Sequence, residues 1–260
     1  LRMRAITTAV ASGKGGSGKT TFSINLACSL AKAGKKVLIF DADVGTANVH
    51  IAFRKKITNT LIDVIQGTAE IQETIQKLTP NIDLISGGSG YTDFINLGID
   101  KIHLTIRAFA ALEGIYDHLI IDLPAGISEI VVEIMKASDN NFIIGNNDPS
   151  SVADAFALLK VLKSHQEKMN IIFTANKVET LSEAKALHQK INSLTEKYIN
   201  LSLRFLGGIT ASKDYDFSWS SGIPCCLEDT TSKASTEFRS ISKGLDQPAE
   251  RSCSGITFAL

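Results

Sequence analysis

An α/β fold, with a doubly wound and mostly parallel sheet carrying helices on both faces, is predicted by three features of the sequence. Short apolar runs rich in β-branched residues alternate with longer segments of helical period. The runs are apolar at successive positions, which suits parallel strands covered on both sides. A glycine-rich turn, Gly13 to Gly18, joins the first run to the first helical segment. One large domain fits 260 residues better than two small ones at about 150 residues per domain. No linker divides the chain, so residues 1–245 are expected to form that domain and 246–260 a loose tail.

Taken in order, the expected strands are Ala5 to Ala11, Lys36 to Asp41, Ile82 to Ser86, His118 to Leu123, Asn141 to Gly145, Asn170 to Ala175 and Leu203 to Ile209. The first, although preceded by Arg2 and Arg4, carries Thr7 and Thr8 and reads as a buried strand rather than a signal peptide. Lys19 to Ala33 places Phe22, Leu26 and Leu30 at helical spacing and stops at Gly34. A later amphipathic helix begins near Ser182, its predicted N-cap, with Ala184, Leu187, Ile191, Leu194 and Tyr198 on one stripe. Gly87 to Gly90 reads as a surface turn.

Composition narrows the function. Hydrophobic residues at 44% and charged residues at 21% exclude a disordered or fibrous chain. Lys plus Arg and Asp plus Glu are both 27, so no global field draws nucleic acid or an anionic membrane. The 4 cysteines, Cys28, Cys225, Cys226 and Cys253, form no C-x-x-C pair, which argues against a disulfide framework or a zinc site and for a reducing cytoplasm. The apolar runs are far shorter than the ~20 residues of a membrane span.

Chemistry concentrates in the glycine turn. Gly13-Lys14-Gly15-Gly16-Ser17-Gly18-Lys19-Thr20 matches G-x-x-x-x-G-K-[ST] between a strand and a helix. Glycines let the backbone curl so that N–H groups meet phosphate oxygens, and the helix start adds its positive dipole end. Lys19 is the expected phosphate cation and Thr20 the expected hydroxyl for Mg²⁺, with Thr21 completing the nucleotide-binding set. Lys14 lies too far back along the turn to share the γ phosphate with Lys19, and is placed to reach a nucleotide on a facing subunit. Asp41 and Asp43 follow the second strand, where ligands bind in open α/β sheets. Asp122 ends the apolar run from His118.

These segments resemble the MinD/ParA-type ATPases, which carry a deviant Walker A loop, KGG-x-GK-T. Asp41 to Val49 is similar to that family's D-x-D-x-G-x-x-N switch I, and Asp122-Leu123-Pro124-Ala125-Gly126 to its Walker B and switch II. With Asp148 to Lys160, the first of these looks closest to the MinD-like regulators of flagellar number and placement, FlhG/FleN. The resemblance implies a single-domain P-loop NTPase that uses ATP and Mg²⁺ and dimerises on ATP. It makes Lys14, Lys19 and Asp43 catalytic, Asp43 holding the attacking water. Thr20, Asp41 and Asp122 hold the metal, and Gly45, Asn48, Pro124 and Gly126 lie in the switches or the dimer contact. The expected protein is a cytoplasmic homodimer with a protein partner at a cell pole or flagellar base and a peripheral place at the inner membrane through that partner; direct membrane contact is open to the family but not supported by this tail.

Three features depart from the pattern. Asn176 resembles the family's adenine-reading Asn, yet Asn176-Lys177-Val178-Glu179 also resembles a guanine-reading N-K-x-D with Glu for Asp; ATP is the expected nucleotide. Thr210 stands where relatives usually place Pro. Past Lys243 only Arg251 is cationic and no helical stripe appears, so the tail does not display a membrane-binding helix. A ParA-type DNA-partitioning ATPase and a metal-insertion or metabolic ATPase are the alternatives on this scaffold; no specific nucleic acid is expected.

Overall fold

The computed structural model describes residues 4–43, 48–88, 104, 107–112, 114–165 and 169–245. Gly45, Gly90, Cys253 and the tail 246–260 lie outside the described residues. The eight strands are β1 (Ile6–Ala11), β2 (Val37–Asp41), β3 (Gln76–Thr79), β4 (Ile82–Ser86), β5 (His118–Asp122), β6 (Asn140–Gly145), β7 (Ile171–Val178) and β8 (Ile209–Thr210). They form one sheet in the order β3-β4-β2-β5-β1-β6-β7-β8. Every pairing is parallel except β3 with β4. This is a single α/β domain of doubly wound type, as the alternating pattern predicts.

Strand alternation sorts the core into two layers. Ala9 and Ala11 of β1, Leu38 and Phe40 of β2 and Ile171 and Phe173 of β7 face one side. Val10, Ile39 and Ile172 face the other. The first side is covered by α3 (Leu61–Ile65), α4 (Glu129–Ala137), α5 (Pro149–His165) and α6 (Leu181–Ile199). The second is covered by α1 (Lys19–Lys32), α8 (Cys225–Glu228) and α9 (Lys233–Lys243), with α2 (Val49–Ala52) and α7 (Lys213–Ser221) at its edge. Phe22 of α1 lies 4.9 Å from the ring of Phe142 and 5.4 Å from that of Phe238, a tilted cluster that locks α1 and α9 to the sheet.

β1 is central, and the chain turns to opposite sides of it: β2, β4 and β5 build one half, β6 to β8 the other. The carboxyl end of β1 is therefore a topological switch point, where open α/β sheets bind ligands. The glycine turn leaves β1 at that point, and Gly34 (φ 83°) ends α1 as predicted.

Three expectations are corrected. The run 203–209 is not one strand: Arg204 makes an isolated bridge to Ile172, and pairing resumes only at Ile209. Helix α6 is capped by Thr180, whose side chain accepts from the Glu183 N–H, and not by Ser182. Its buried stripe is Ala184, Leu187, His188, Ile191 and Thr195, while Tyr198 is exposed.

Candidate active site

The turn after β1 is held open by backbone conformation and by β7. Gly16 (φ 76°) and Gly18 (φ 93°) occupy the left-handed region, and a Cβ at Gly18 would lie 2.2 Å from Asn176 Nδ2. Gly13 packs on the α5 backbone, where a Cβ would come 2.4 Å from the carbonyl carbon of Asp154. Asn176 Nδ2 donates to the Ser17 carbonyl (2.7 Å) and Lys177 Nζ to that of Gly16 (3.0 Å). A trans peptide points its C=O and N–H in opposite directions. Tying these two carbonyls to β7 therefore turns the N–H groups of Ser17 and Gly18 the other way. Gly15 has open space around it.

Asn176 is thus committed at both ends, since its Oδ1 accepts from the Lys177 N–H (2.9 Å), and it is buried. In this structure it clamps the phosphate loop, spending one amide proton on the Ser17 carbonyl and one oxygen lone pair on the Lys177 N–H. Glu179, the residue a guanine reading needs, is exposed. Thr210 gives its N–H and hydroxyl to the buried carboxylate of Glu237, at 3.1 and 2.8 Å. A proline there would supply neither donor.

Below the loop, the predicted phosphate and metal residues converge. Lys19 is only 6% exposed. Burial pulls its pKa down, and Asp122 and Asp43 push it back up. Asp41 and Asp122 are register neighbours at the carboxyl ends of β2 and β5, each 1% exposed. Asp41 accepts from the Val49 N–H (3.1 Å) and the Asp43 N–H (3.3 Å). Asp122 Oδ1 accepts from the Ser23 hydroxyl (3.0 Å), and the Thr20 hydroxyl lies near enough to favour the charged form of this carboxylate. Burial drives both carboxyls upward, Asp122 to about 6, and Asp41 is raised further by the charge of Asp122. Asp122 Oδ2 is buried without a hydrogen-bond partner. Two crowded carboxylates, one with an idle oxygen, beside a threonine hydroxyl are the hard oxygen donors that Mg²⁺ takes. The residues fit that ion.

The switch segments border this cluster. Asp43 follows Asp41 and lies within electrostatic reach of Lys19, Asp41 and Asp122. Asn48 stands immediately before α2, and its carbonyl accepts from Ile51 (3.1 Å). Pro124 is buried, whereas Gly126 (φ 91°) gives its N–H to the Ser12 carbonyl at 2.9 Å. A phosphate contact by that N–H requires this bond to break. Lys14 turns to its own chain: Nζ bonds Asp148 Oδ1 at 2.9 Å and Ser150 Oγ at 2.6 Å. The Lys14 ammonium, with the Ser151 N–H and the Ser150 hydroxyl, holds the Asp148 carboxyl down at about 2.

Sequence reasoning missed Ser23, Asp148, Ser150 and Lys177. Ser23 was open to discovery, because it stands one helical turn after Thr20 and faces the same way. Asp148-Pro149 at the start of a helix after β6 is a second such signal. Cys28, Cys225 and Cys226 are buried free thiols.

Fold, glycine turn and carboxylate pair together define a P-loop nucleotide-binding protein built on a doubly wound sheet. The chain matches the family model described as AAA domain over residues 4–175. It is 34% identical over 207 residues to the flagellum site-determining protein YlxH of Helicobacter pylori, covering 78% of this chain and 69% of that protein. To the antiactivator FleN of Pseudomonas aeruginosa it is 29% identical over 238 residues, covering 92% and 85%. The septum site-determining protein MinD of Pyrococcus horikoshii, solved with Mg-ADP, shares the fold with a TM-score of 0.76 at 24% identity, over 94% of this chain and 96% of that one. The chain belongs to the MinD/ParA-type P-loop ATPases, close to FlhG/FleN.

Proposed function

We propose that this protein is a spatial switch that dimerises face to face on Mg-ATP, separates after slow hydrolysis, and regulates the number or placement of flagella. The observation that carries the chemistry is the convergence of Lys19, Thr20, Asp41 and Asp122 beneath a loop whose carbonyls are tied back by Asn176 and Lys177. Lys19 and the loop N–H groups bind the β and γ phosphates, with Thr21 on the same helix turn. Asp43 orients the attacking water and accepts its proton. Thr20, Asp41 and Asp122 would hold a Mg²⁺, which would supply the positive charge that neutralises the phosphate oxygens. Residues 1–245 serve as the ATPase domain, with 246–260 appended.

Lys14 gives the reaction its dependence on a second copy. On this reading it leaves Asp148 and Ser150 and extends to the partner's nucleotide, as an arginine finger does. Gly45, Asn48, Pro124 and Gly126 form the surface that changes with the γ phosphate. The names of the two flagellar relatives support the biological output: one determines a site, the other opposes an activator. A protein partner at a cell pole or flagellar base is the corresponding target here. Among the described residues no helix is long and apolar enough to cross a membrane, and the partner sets location.

The test is light scattering with Mg-ATP on Lys14→Ala and Asp43→Ala. The first is expected to stay monomeric and the second to persist as an ATP-bound dimer. Wild-type behaviour in both would overturn the interface mechanism.

A further inference from the structure

Helix α7 reaches back to the first turns of α1. Trp219, the sole tryptophan of the chain, is half-buried and gives its indole N–H to Thr21 Oγ1 at 3.2 Å. Thr21 is held on its other side too, since its carbonyl accepts from Asn25 Nδ2 at 2.9 Å. Asn25 Oδ1 in turn accepts from the Cys225 thiol (3.1 Å) and the Cys226 N–H (3.2 Å). The segment from Trp219 to Cys226 therefore grips the phosphate-loop helix at two successive turns. Its own position is fixed from outside: Arg54, just past α2, bonds the Ser220 carbonyl, and its side chain fills the space beside Gly222 so closely that a Cβ there would lie 2.5 Å from Arg54 Cγ.

The direction of the Trp219 bond has a chemical consequence. An indole N–H only donates, so Thr21 Oγ1 is the acceptor and keeps its own proton free to donate. A helical threonine otherwise divides between two rotamers, one of which returns the hydroxyl to a carbonyl of the preceding turn. We propose that Trp219 is a positioning residue for nucleotide binding: it selects the Thr21 rotamer whose hydroxyl proton is available to a phosphate oxygen, and it holds the first turn of α1 in register with the loop. The proposal rests on the phosphate-loop reading given above. It concerns a contact shared by di- and triphosphates, so it acts on uniform binding and not on the chemical step.

The experiment measures Mg-ADP affinity by calorimetry, together with KM and kcat for ATP, in wild type, Trp219→Phe, Thr21→Val and the double variant. Phenylalanine keeps an aromatic ring at this position and removes the donor. Trp219→Phe is expected to weaken Mg-ADP by about threefold to tenfold, the range of one hydrogen bond, with KM raised by a similar factor and kcat unchanged. In the Thr21→Val background the same replacement should have no further effect, and without nucleotide the unfolding midpoint of Trp219→Phe should stay near wild type. Unchanged affinity in Trp219→Phe, or single effects that multiply in the double variant, would overturn the proposal. Failure of wild type itself to bind Mg-ADP would instead strike the phosphate-loop reading. A second readout covers a variant that does not fold: wild-type tryptophan emission should shift on addition of Mg-ADP, and no shift at saturation, established by calorimetry, also overturns the proposal.

Discussion

Asp122 sits where burial and charge oppose each other. In the unfolded chain its carboxyl titrates near the ordinary value of about 3.9, whereas in the folded, nucleotide-free protein it titrates at about 6. Between these values the folded state holds more protons than the unfolded one, so stability falls as pH rises through the window from about 4 to about 6. The destabilisation is absent below that window and complete above it. Asp122→Asn removes the ionisation, so in magnesium-free buffer its stability should match wild type near pH 4 and exceed it at pH 8, by on the order of 3 kcal/mol for a shift of this size. Urea unfolding of both proteins across this range checks it; equal pH profiles would contradict the assignment of Asp122 as a strained, cation-seeking carboxylate. The same variant should lose Mg-ATP binding. Single residues of this kind were legible in the sequence where their neighbours in the chain announce them, as Lys19 and Thr20 are announced by Gly13 to Gly18. Those whose role arises only from packing were not. Lys14 meets Asp148 across 134 positions of chain, and Asn176 meets Ser17 across 159.

At the scale of elements, α5 carries the main unread feature. Its start presents Asp148 and Ser150 to Lys14, so the lysine assigned to the partner's nucleotide is stored on its own chain. An exposed ion pair of this type contributes little to fold stability, but under the proposed mechanism it competes with the contact a dimer needs. Asp148→Asn should therefore lower the protein concentration for half-dimerisation at saturating Mg-ATP several-fold without altering the unfolding midpoint. Sedimentation analysis checks this, and unchanged or weaker dimerisation would remove the competition. The central strands were legible because their apolar runs admit no other placement. β3 was not: it is a short antiparallel edge strand, Gln76–Thr79, whose polar residues are those an edge tolerates. The run 203–209 misled because its apolar residues flank Gly207 and Gly208. Gly207 at φ 149° interrupts the ladder after the Arg204 bridge, and a Cβ at Gly208 would come within 2.2 Å of Ala184.

At the scale of the whole molecule, the sheet topology places every chemical group at one end of the strands. The loop follows β1, Asp41 and Asp122 end β2 and β5, Asp148 follows β6, and Asn176 lies in β7. That end was readable in advance from three motifs in order, each attached to the carboxyl end of a predicted strand. What a linear reading could not supply is the state of the assembled face. In the single chain, Lys14 is paired in cis and the Gly126 N–H is spent on Ser12. On the proposed mechanism, both groups must be released for two copies to share their nucleotides. Overall charge neutrality, 27 against 27, sets no electrostatic barrier between like copies. The most direct measurement is the solution mass of the full chain by light scattering at saturating Mg-ATP, Mg-ADP and Mg-GTP, with occupancy established in each case. Twice the monomer mass with Mg-ATP alone is the predicted result; a chain that remains monomeric while fully loaded with Mg-ATP would contradict it.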